Sequence, residues 1–282
     1  MKRKRGMTMT VEEIERKHQE DLRRIQNFRL MDDDFMTKCF EGDPQYIELV
    51  LRIILEMPNL KVIHVRTQVF VENLLNRSVR LDIVAVDSKG RRMNVEIQRS
   101  DSGAGWKRAR YNSSMMDINL LEKGDKFDDL PEVWVIFITE HDVIGEGKPL
   151  YRIERCLVDT GKVIQDGSHI LYVNGAYRGD TPLGKLMHDF SCKNPAEMNY
   201  KELADRVRFF KESKEGVAIM CKAIEDMRRQ ERQEGFEEGK GENMKEVALR
   251  MLRAGKYALD EISDMSGLPL DEIQSLKVGA MA

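Results

Sequence analysis

The chain has 282 residues, and with 34% charged and 41% hydrophobic residues it has the size and composition of a globular protein with a substantial core. A net charge of -3 excludes a general electrostatic attraction to nucleic acid. The four cysteines are widely spaced without a CxxC pair, which excludes a common zinc motif and a disulfide framework. No apolar run approaches the roughly 18 residues of a membrane span, and no apolar segment follows the basic start MKRKRG, so we expect a cytoplasmic protein without a signal peptide.

The N-terminal part predicts helices. Residues 1–30 are rich in charge and predict a helical or frayed leader. The segment GDPQYIELVLRIILEM predicts a helix with Asp43 as its N-cap and Pro44 as its first residue. Apolar residues recur at helical spacing from Ile47 to Leu55, so this helix has a wide apolar face that we expect to pack on a core.

The middle of the chain alternates between strand and helix patterns. Residues 62–98 are strand-like, and VWVIFIT at 133–139 is an unbroken run that is typical of a strand covered on both faces. The segment between them predicts a helix over 106–121, and a β-helix-β connection of this length predicts a parallel, right-handed crossover. Further strand-like pieces at 150–178 precede a helical region from Pro182. We therefore expect an α/β fold.

The C-terminal part differs in composition. The polar helix pattern of MRRQERQEGFEEGKGENMKEVALRMLRAGK is interrupted by Gly235, Gly239 and Gly241, which cost about 1 kcal/mol each inside a helix, so we expect a frayed stretch or a linker. ALDEISDMSGLPLDEIQSLK predicts a helix-turn-helix-like unit that docks on a partner or on a second copy of the chain. DNA reading is the alternative, but Asp271 and Glu272 in the second helix do not suit the major groove. The predicted parts are a leader (1–30), a core (31–190), a helical extension with the glycine-spaced linker (191–240) and a small helical unit (241–282).

The segment RLDIVAVDSKGRRMNVEIQ, residues 80–98, predicts a β-hairpin. Odd-numbered positions from 81 to 85 and from 93 to 97 are all apolar, so they define one core face. A three-residue loop with Gly90 in the left-handed conformation keeps odd residues opposite odd ones, whereas a two-residue loop would mix the two faces. The register that the pattern selects therefore places Asp82 opposite Glu96 and Arg80 opposite Gln98.

Two carboxylates that face each other across strands repel, and this repulsion must be offset. A divalent cation bound between them is one solution, because Asp and Glu oxygens suit Mg²⁺ or Mn²⁺. Neutralisation by the nearby Arg80, Arg92 and Arg99 is the other. The hairpin pattern alone leaves both interpretations open.

At these residues the chain resembles the PD-(D/E)XK nuclease superfamily, and more narrowly its branch of transposases and recombination-promoting (Rpn-like) nucleases. The superfamily motif is an Asp on one strand and (Asp/Glu)-x-Lys on the next, matched here by Asp82 and by Glu96-Ile97-Gln98. The basic segment WKRARYNSSMMD, the tail EGFEEGKGE and the terminal GLPLDEIQSL are also similar to that branch, so the resemblance runs from about residue 30 to the end. It implies a restriction-endonuclease-like core, αβββαβ, with a mixed central sheet flanked by helices and a helical C-terminal extension.

The resemblance also implies an activity and a metal site. The implied activity is that of a metal-dependent DNA endonuclease that hydrolyses phosphodiester bonds and is associated with mobile elements or recombination. Asp82, Glu96 and the Ile97 carbonyl would hold Mg²⁺, or Mn²⁺, and Gln98 would help to place a water molecule. Gln98 stands where many members have Lys, and this branch commonly has Gln there. A glutamine can orient water but carries no charge, so we expect compensation from the following helix, with the candidates Lys107, Arg108 and Arg110.

Two further site residues are expected by the same resemblance. An acidic residue on the first helix often completes the site in the superfamily, and Glu48 is the candidate, with Glu41 behind it; the alternative is that Glu48 is an exposed helix residue. Tyr111 lies one helical turn after Arg108, so it either joins the basic helix in contacting DNA or packs against the core. Between Arg77 and Arg110 the sequence has nine Lys or Arg and four Asp or Glu, a local positive surplus that favours an anionic partner.

A second class of function remains open from the sequence. The nuclease fold could be kept in a catalytically weak or inactive protein that acts as a DNA-binding or oligomerising module, in which the C-terminal helices join copies of the chain. Metal-dependent cleavage of DNA discriminates between the two classes.

Overall fold

The computed structural model describes residues 10–73, 77–99, 101–118, 120–121 and 123–280, and it leaves out the side chains of 101, 102 and 278–280. The basic start of the predicted leader, residues 1–9, lies outside the described residues. The chain divides into two compact units, 1–221 and 222–282. None of the described helices is long and apolar enough to cross a membrane. The four predicted parts have different boundaries from these two units and stay a prediction.

Three helices precede the sheet: α1 (Val11–Asn27), α2 (Asp33–Phe40) and α3 (Pro44–Ile54). The predicted start of α3 is confirmed, because the Asp43 carboxylate accepts a hydrogen bond from the Gln45 N–H at 3.1 Å and Pro44 lies in the first turn. This arrangement satisfies one of the free N–H groups that every helix start exposes. The apolar face of α3 is buried as expected, at Ile47, Val50, Leu51 and Ile54.

A mixed sheet of six strands forms the centre of the first unit, in the order β1-β2-β3-β4-β8-β5. Strands β1 to β3 are antiparallel, β3, β4 and β8 are parallel, and β5 is antiparallel to β8. The strands of this sheet are β1 (Val62–Val71), β2 (Val79–Asp87), β3 (Arg92–Gln98), β4 (Val133–Thr139), β5 (Leu150–Ile153) and β8 (Ser168–Asn174), and a separate hairpin is formed by β6 (Cys156–Leu157) and β7 (Lys162–Val163). The element order from α3 to β4 confirms the αβββαβ core.

The predicted hairpin register is confirmed. Strands β2 and β3 pair from Ile83 opposite Val95 to Val86 opposite Arg92. The loop closes with Gly90 at φ +79°, a backbone conformation that suits glycine. This register fixes which side chains of β2 and β3 share a face.

The crossover from β3 to β4 is parallel as predicted, and its helix α4 (Trp106–Asp117) ends four residues earlier than expected. Six of the seven β4 residues are buried, which confirms a strand covered on both faces. The polar face of the hairpin is covered as well, because Asn94 and Glu96 are completely buried. The face of the sheet that packs against α4 therefore carries both buried apolar side chains and buried polar side chains.

The remaining helices are α5 (Pro182–Ser191), α6 (Lys201–Glu212), α7 (Lys214–Ala254), α8 (Leu259–Ser266) and α9 (Leu270–Ala280). The expectation of a frayed stretch or linker is wrong, because α7 runs unbroken through Gly235, Gly239 and Gly241. Hydrogen bonds one turn apart, such as Gln230 to Glu234 at 2.7 Å, offset part of the glycine cost. The second unit contains the predicted helical pair, with Gly267 at φ +77° ending α8 and a core of Ala248, Ile262, Leu268 and Ile273.

Candidate active site

The ladder between β2 and β3 opens at Asp82. The last paired residues are Ile83 and Val95, and beyond them side chains replace the backbone partners. The Asp82 N–H donates to Glu96 Oε1 at 3.3 Å, and the Ile97 N–H donates to Asp82 Oδ2 at 3.0 Å. The structure therefore brings the two predicted acids together, each bonded to the backbone of the opposite strand.

Glu96 is completely buried, and three groups donate hydrogen bonds to it. Its Oε1 atom accepts from the Asp82 N–H and from Asn94 Nδ2, the latter at 3.0 Å. Its Oε2 atom accepts from Arg108 Nη2 at 2.7 Å, which forms an ion pair. A buried carboxylate needs such partners, because removing an unpaired charge from water is costly.

The two carboxylates differ in whether a positively charged side chain is paired with them. Burial first, and then the negative charge of Glu96, raise the pKa of Asp82 to about 8. Burial also raises the pKa of Glu96, against the positive charge of Arg108 and the Asn94 hydrogen bond. No ion pair to Asp82 is present among the described residues. Asp82 therefore favours its protonated form, and its ionised form lacks a compensating cation among these residues.

Arg108 connects α4 to Glu96 and Gln98, which form the second half of the predicted motif. Its Nη1 atom donates to Gln98 Oε1 at 3.2 Å and to the Gly103 carbonyl at 3.0 Å, while Nη2 holds Glu96. The guanidinium also lies 5.9 Å from the centre of the Phe137 ring, within the range of a cation–π contact. Gly103 leaves room for this arrangement, since a Cβ atom there would lie 2.0 Å from Gln98 Oε1 and would displace the end of that side chain.

The three arginines that were predicted to neutralise the two carboxylates do not pair with them. Within the described part of the chain, none of Arg80, Arg92 and Arg99 forms an ion pair with Asp82 or Glu96, and Arg99 instead pairs with Asp32 at 3.0 Å. The arginine that pairs with Glu96 is Arg108 of α4, at 2.7 Å.

The sequence reasoning missed two residues beside Asp82. Asp33, in the first turn of α2, lies close enough for its negative charge to raise the pKa of Asp82. Gln68, on β1 opposite Asp82, has a left-handed φ of +51°, and the β1–β2 pairing skips this position. Its Nε2 atom donates to Asp33 Oδ1 at 3.0 Å and to Thr37 Oγ1 at 3.3 Å. Left-handed backbone at a non-glycine residue often marks a functional site, but nothing in the sequence signals this conformation.

Glu48 does not join this cluster. Its Oε2 atom accepts from the Val62 N–H at 2.8 Å, and its Oε1 atom pairs with Arg52 at 2.6 Å. Val62 pairs with Asp87, five residues along β2 from Asp82, a distance of roughly 17 Å at about 3.3 Å per residue. Glu48 therefore supports the start of β1 and is replaced by Asp33 as the helical acid near Asp82. Glu41, the second candidate, pairs with Lys38 at 2.7 Å.

The predicted DNA-contacting residues lie on two sides of α4. Arg108 points into the carboxylate cluster, whereas Lys107 and Arg110 are exposed. The Tyr111 hydroxyl donates to the Arg77 carbonyl, so Tyr111 connects α4 to the start of β2. Lys107 and Arg110 remain accessible to a large anionic ligand.

The donor set fits a hard divalent cation. Among the described residues, Asp82 Oδ1 accepts no hydrogen bond from the protein, and Glu96 Oε2 is held by Arg108 alone. The Ile97 N–H points to β2, and the C=O of a strand residue points to the same edge. No group of three or more His, Cys, Asp or Glu side chains is suited to a metal in the described part, but Mg²⁺ needs only one or two carboxylates with waters. The residues that could hold it are Asp82, Glu96 and Ile97.

The mixed six-stranded sheet flanked by helices is consistent with a restriction-endonuclease-like fold. Residues 44–175 match the family model described as "PD-(D/E)XK nuclease family transposase", which confirms the resemblance seen in the sequence. The match includes the hairpin, α4 and the parallel strands. Searches of the curated proteins and of the solved structures found no match.

Proposed function

We propose that this protein is a metal-dependent DNA endonuclease associated with mobile elements or recombination. The observation that carries the proposal is the buried pair Asp82 and Glu96, which lies where the β2–β3 ladder opens and within the segment that matches the nuclease family. Both carboxylates can be ionised together near neutral pH only if a further cation offsets their repulsion. A metal ion bound between the two carboxylates would offset their repulsion.

The proposed site has three metal ligands and one water-orienting group. Asp82, Glu96 and the Ile97 carbonyl would hold Mg²⁺ or Mn²⁺, which would lower the pKa of a water molecule and stabilise the charge that develops on the phosphate. The Gln98 oxygen accepts from Arg108, so its amide group can donate to the water. Asp33 is the third acidic group beside the site and takes the role that we first expected of Glu48.

Arg108 supplies the charge that glutamine cannot. Its guanidinium contacts Gln98, the residue that stands where many members of the superfamily have lysine. A positive charge in this place stabilises an anionic transition state. The exposed Lys107 and Arg110 contact the DNA backbone, which binds basic side chains regardless of sequence.

Cleavage of supercoiled plasmid DNA tests the proposal. Wild-type protein with Mg²⁺ or Mn²⁺ should nick or linearise the plasmid, and a chelator should stop the reaction. Asp82→Asn and Glu96→Gln should each reduce the rate at least about 100-fold, since removing even a group that supports a metal ligand costs about 10–100-fold. The exposed Asp128 provides the control Asp128→Asn, which should cleave like the wild type. Cleavage that survives in both site variants would reject the assignment.

A second candidate function is a nuclease-fold module that binds DNA without cutting it. The observation that favours it is the ion pair of Arg108 with Glu96 Oε2, which engages a ligand oxygen, together with the uncharged Gln98. Electrophoretic mobility shifts that show DNA binding, with no cleavage under Mg²⁺ or Mn²⁺, would support this candidate over the endonuclease.

A further inference from the structure

The contacts of Glu96 leave one oxygen for a cation. Oε1 accepts from the Asp82 N–H and from Asn94 Nδ2, and both donors are fixed in strands. Among the described residues, Oε2 accepts from Arg108 Nη2 alone, at 2.7 Å. A divalent cation that binds Oε2 would lie beside the guanidinium, and because like charges repel at this distance the metal and Arg108 compete for the same oxygen.

Arg108 has a second attachment that does not involve Glu96. Its Nη1 atom is held by Gln98 Oε1 at 3.2 Å and by the Gly103 carbonyl at 3.0 Å. The guanidinium also lies over Phe137. Because these contacts involve a different nitrogen, Nη2 can leave Glu96 while the guanidinium stays in the site.

We propose that Arg108 and a divalent cation compete for Glu96 Oε2. Without metal, Arg108 neutralises Glu96. With metal, Nη2 is released and donates to a phosphate oxygen of the substrate, while Nη1 keeps its contacts with Gln98 and Gly103. This inference rests on the proposed metal site and adds an order of events, in which the metal binds first and Arg108 becomes available to phosphate second.

The competition has a measurable consequence for metal affinity. A hydrogen bond to a charged group contributes enough to change an equilibrium by about tenfold or more, so removing the competitor should tighten metal binding by about that factor. Arg108→Met keeps a long apolar side chain for packing on Phe137 but removes the donors. Arg110→Met removes the same charge from the exposed position two residues along α4 and controls for the general loss of a cation.

Mn²⁺ binding to the full-length protein, measured by isothermal titration calorimetry without DNA, tests the inference. We expect Arg108→Met to bind Mn²⁺ about tenfold more tightly than the wild type, and Arg110→Met to bind within about twofold of it. Equal or weaker binding by Arg108→Met, with wild-type binding intact, overturns the competition but leaves the metal site. Binding that persists in Asp82→Asn, or no binding by any form at millimolar Mn²⁺, overturns the proposed site as well.

A measurement on the wild type avoids any dependence on the folding of the variants. Nitrogen-15 spectra of the arginine side chains should show the Arg108 guanidinium signal shifting as Mg²⁺ is added, because its bond to Glu96 is lost. The Arg110 signal should not move. An Arg108 signal that stays unchanged when Mg²⁺ saturates the site refutes the release of Nη2.

Discussion

Replacing Asp82 by Asn should change how the stability of the metal-free protein depends on pH. The pKa of Asp82 is raised from 3.8 to about 8 by burial and by Glu96, so folding favours its protonated form. An acid with a raised pKa stabilises the fold at low pH, and that contribution is lost as the pH rises toward the folded pKa. Between pH 5 and pH 8 the loss approaches about 1.4 kcal/mol per pH unit, or at most about 4 kcal/mol.

Asparagine removes this ionisation and keeps an oxygen that can accept from the Ile97 N–H. We therefore expect Asp82→Asn to be more stable than the wild type at pH 8, by up to a few kcal/mol, with a much smaller difference at pH 5. Urea unfolding followed by tryptophan fluorescence, in the presence of a chelator, measures the relevant unit, because the two tryptophans, Trp106 and Trp134, both lie in residues 1–221.

The exposed Asp128 provides the matched control, since Asp128→Asn should follow the wild-type curve at every pH. Parallel curves for Asp82→Asn and the wild type would refute the reasoning, as they would mean that Asp82 ionises normally in the folded protein. Adding Mn²⁺ should stabilise the wild type and not Asp82→Asn, because a ligand that binds only the folded state adds to its stability.

Three other changes test individual contacts. Gly103→Ala should lower plasmid cleavage by about tenfold or more with little loss of secondary structure by circular dichroism, because its Cβ would meet Gln98 Oε1 at 2.0 Å and displace a group that supports the site; unchanged cleavage would contradict the role of Gln98. Glu48→Gln should lower the free energy of unfolding in urea by about 1–2 kcal/mol, because it weakens the bonds to Arg52 and Val62, and it should leave the Mn²⁺ affinity unchanged. Weaker Mn²⁺ binding would mean that Glu48 belongs to the metal site after all. Alanine at Gly235, Gly239 or Gly241 should raise the free energy of unfolding of residues 222–282 by up to about 1 kcal/mol, measured by circular dichroism, because a Cβ at these positions meets no atom within 4 Å; lower stability would contradict a continuous helix through them.

The hairpin was predictable because its residues carry two independent signals. The alternation of apolar residues excludes the registers that mix the two faces, and Gly90 fits the loop that the remaining register requires. Both signals are local, and both agree with the observed pairing of Ile83 with Val95. The meeting of Asp82 and Glu96 follows from them directly.

The helical acid was not predictable in the same way. Glu48 and Asp33 are both acidic residues on helices that precede the sheet, and the sequence does not say which of these helices lies near Asp82. The choice depends on how α2 packs beside β1, and on a left-handed Gln68 that no local pattern indicates. Tertiary packing decides such positions, and the resemblance supplied only the expectation of an acid.

The continuous α7 helix is a second feature that local sequence patterns did not predict. Propensity correctly assigns a cost to three glycines, but it does not count the side-chain bonds one turn apart, such as Gln233 to Glu237 at 3.0 Å, which offset that cost. Whether this segment is a helix or a linker therefore depends on several small free-energy contributions of opposite sign.

The central claim is that Asp82 and Glu96 hold a divalent cation. Anomalous diffraction from crystals of the protein soaked in Mn²⁺ tests it most directly. The account predicts a Mn²⁺ peak within about 2.0–2.4 Å of an oxygen from each carboxylate, with Arg108 moved from Glu96 Oε2 but still bonded to Gln98. An intact ion pair between Arg108 and Glu96, without a peak beside Asp82 under saturating Mn²⁺, would contradict it.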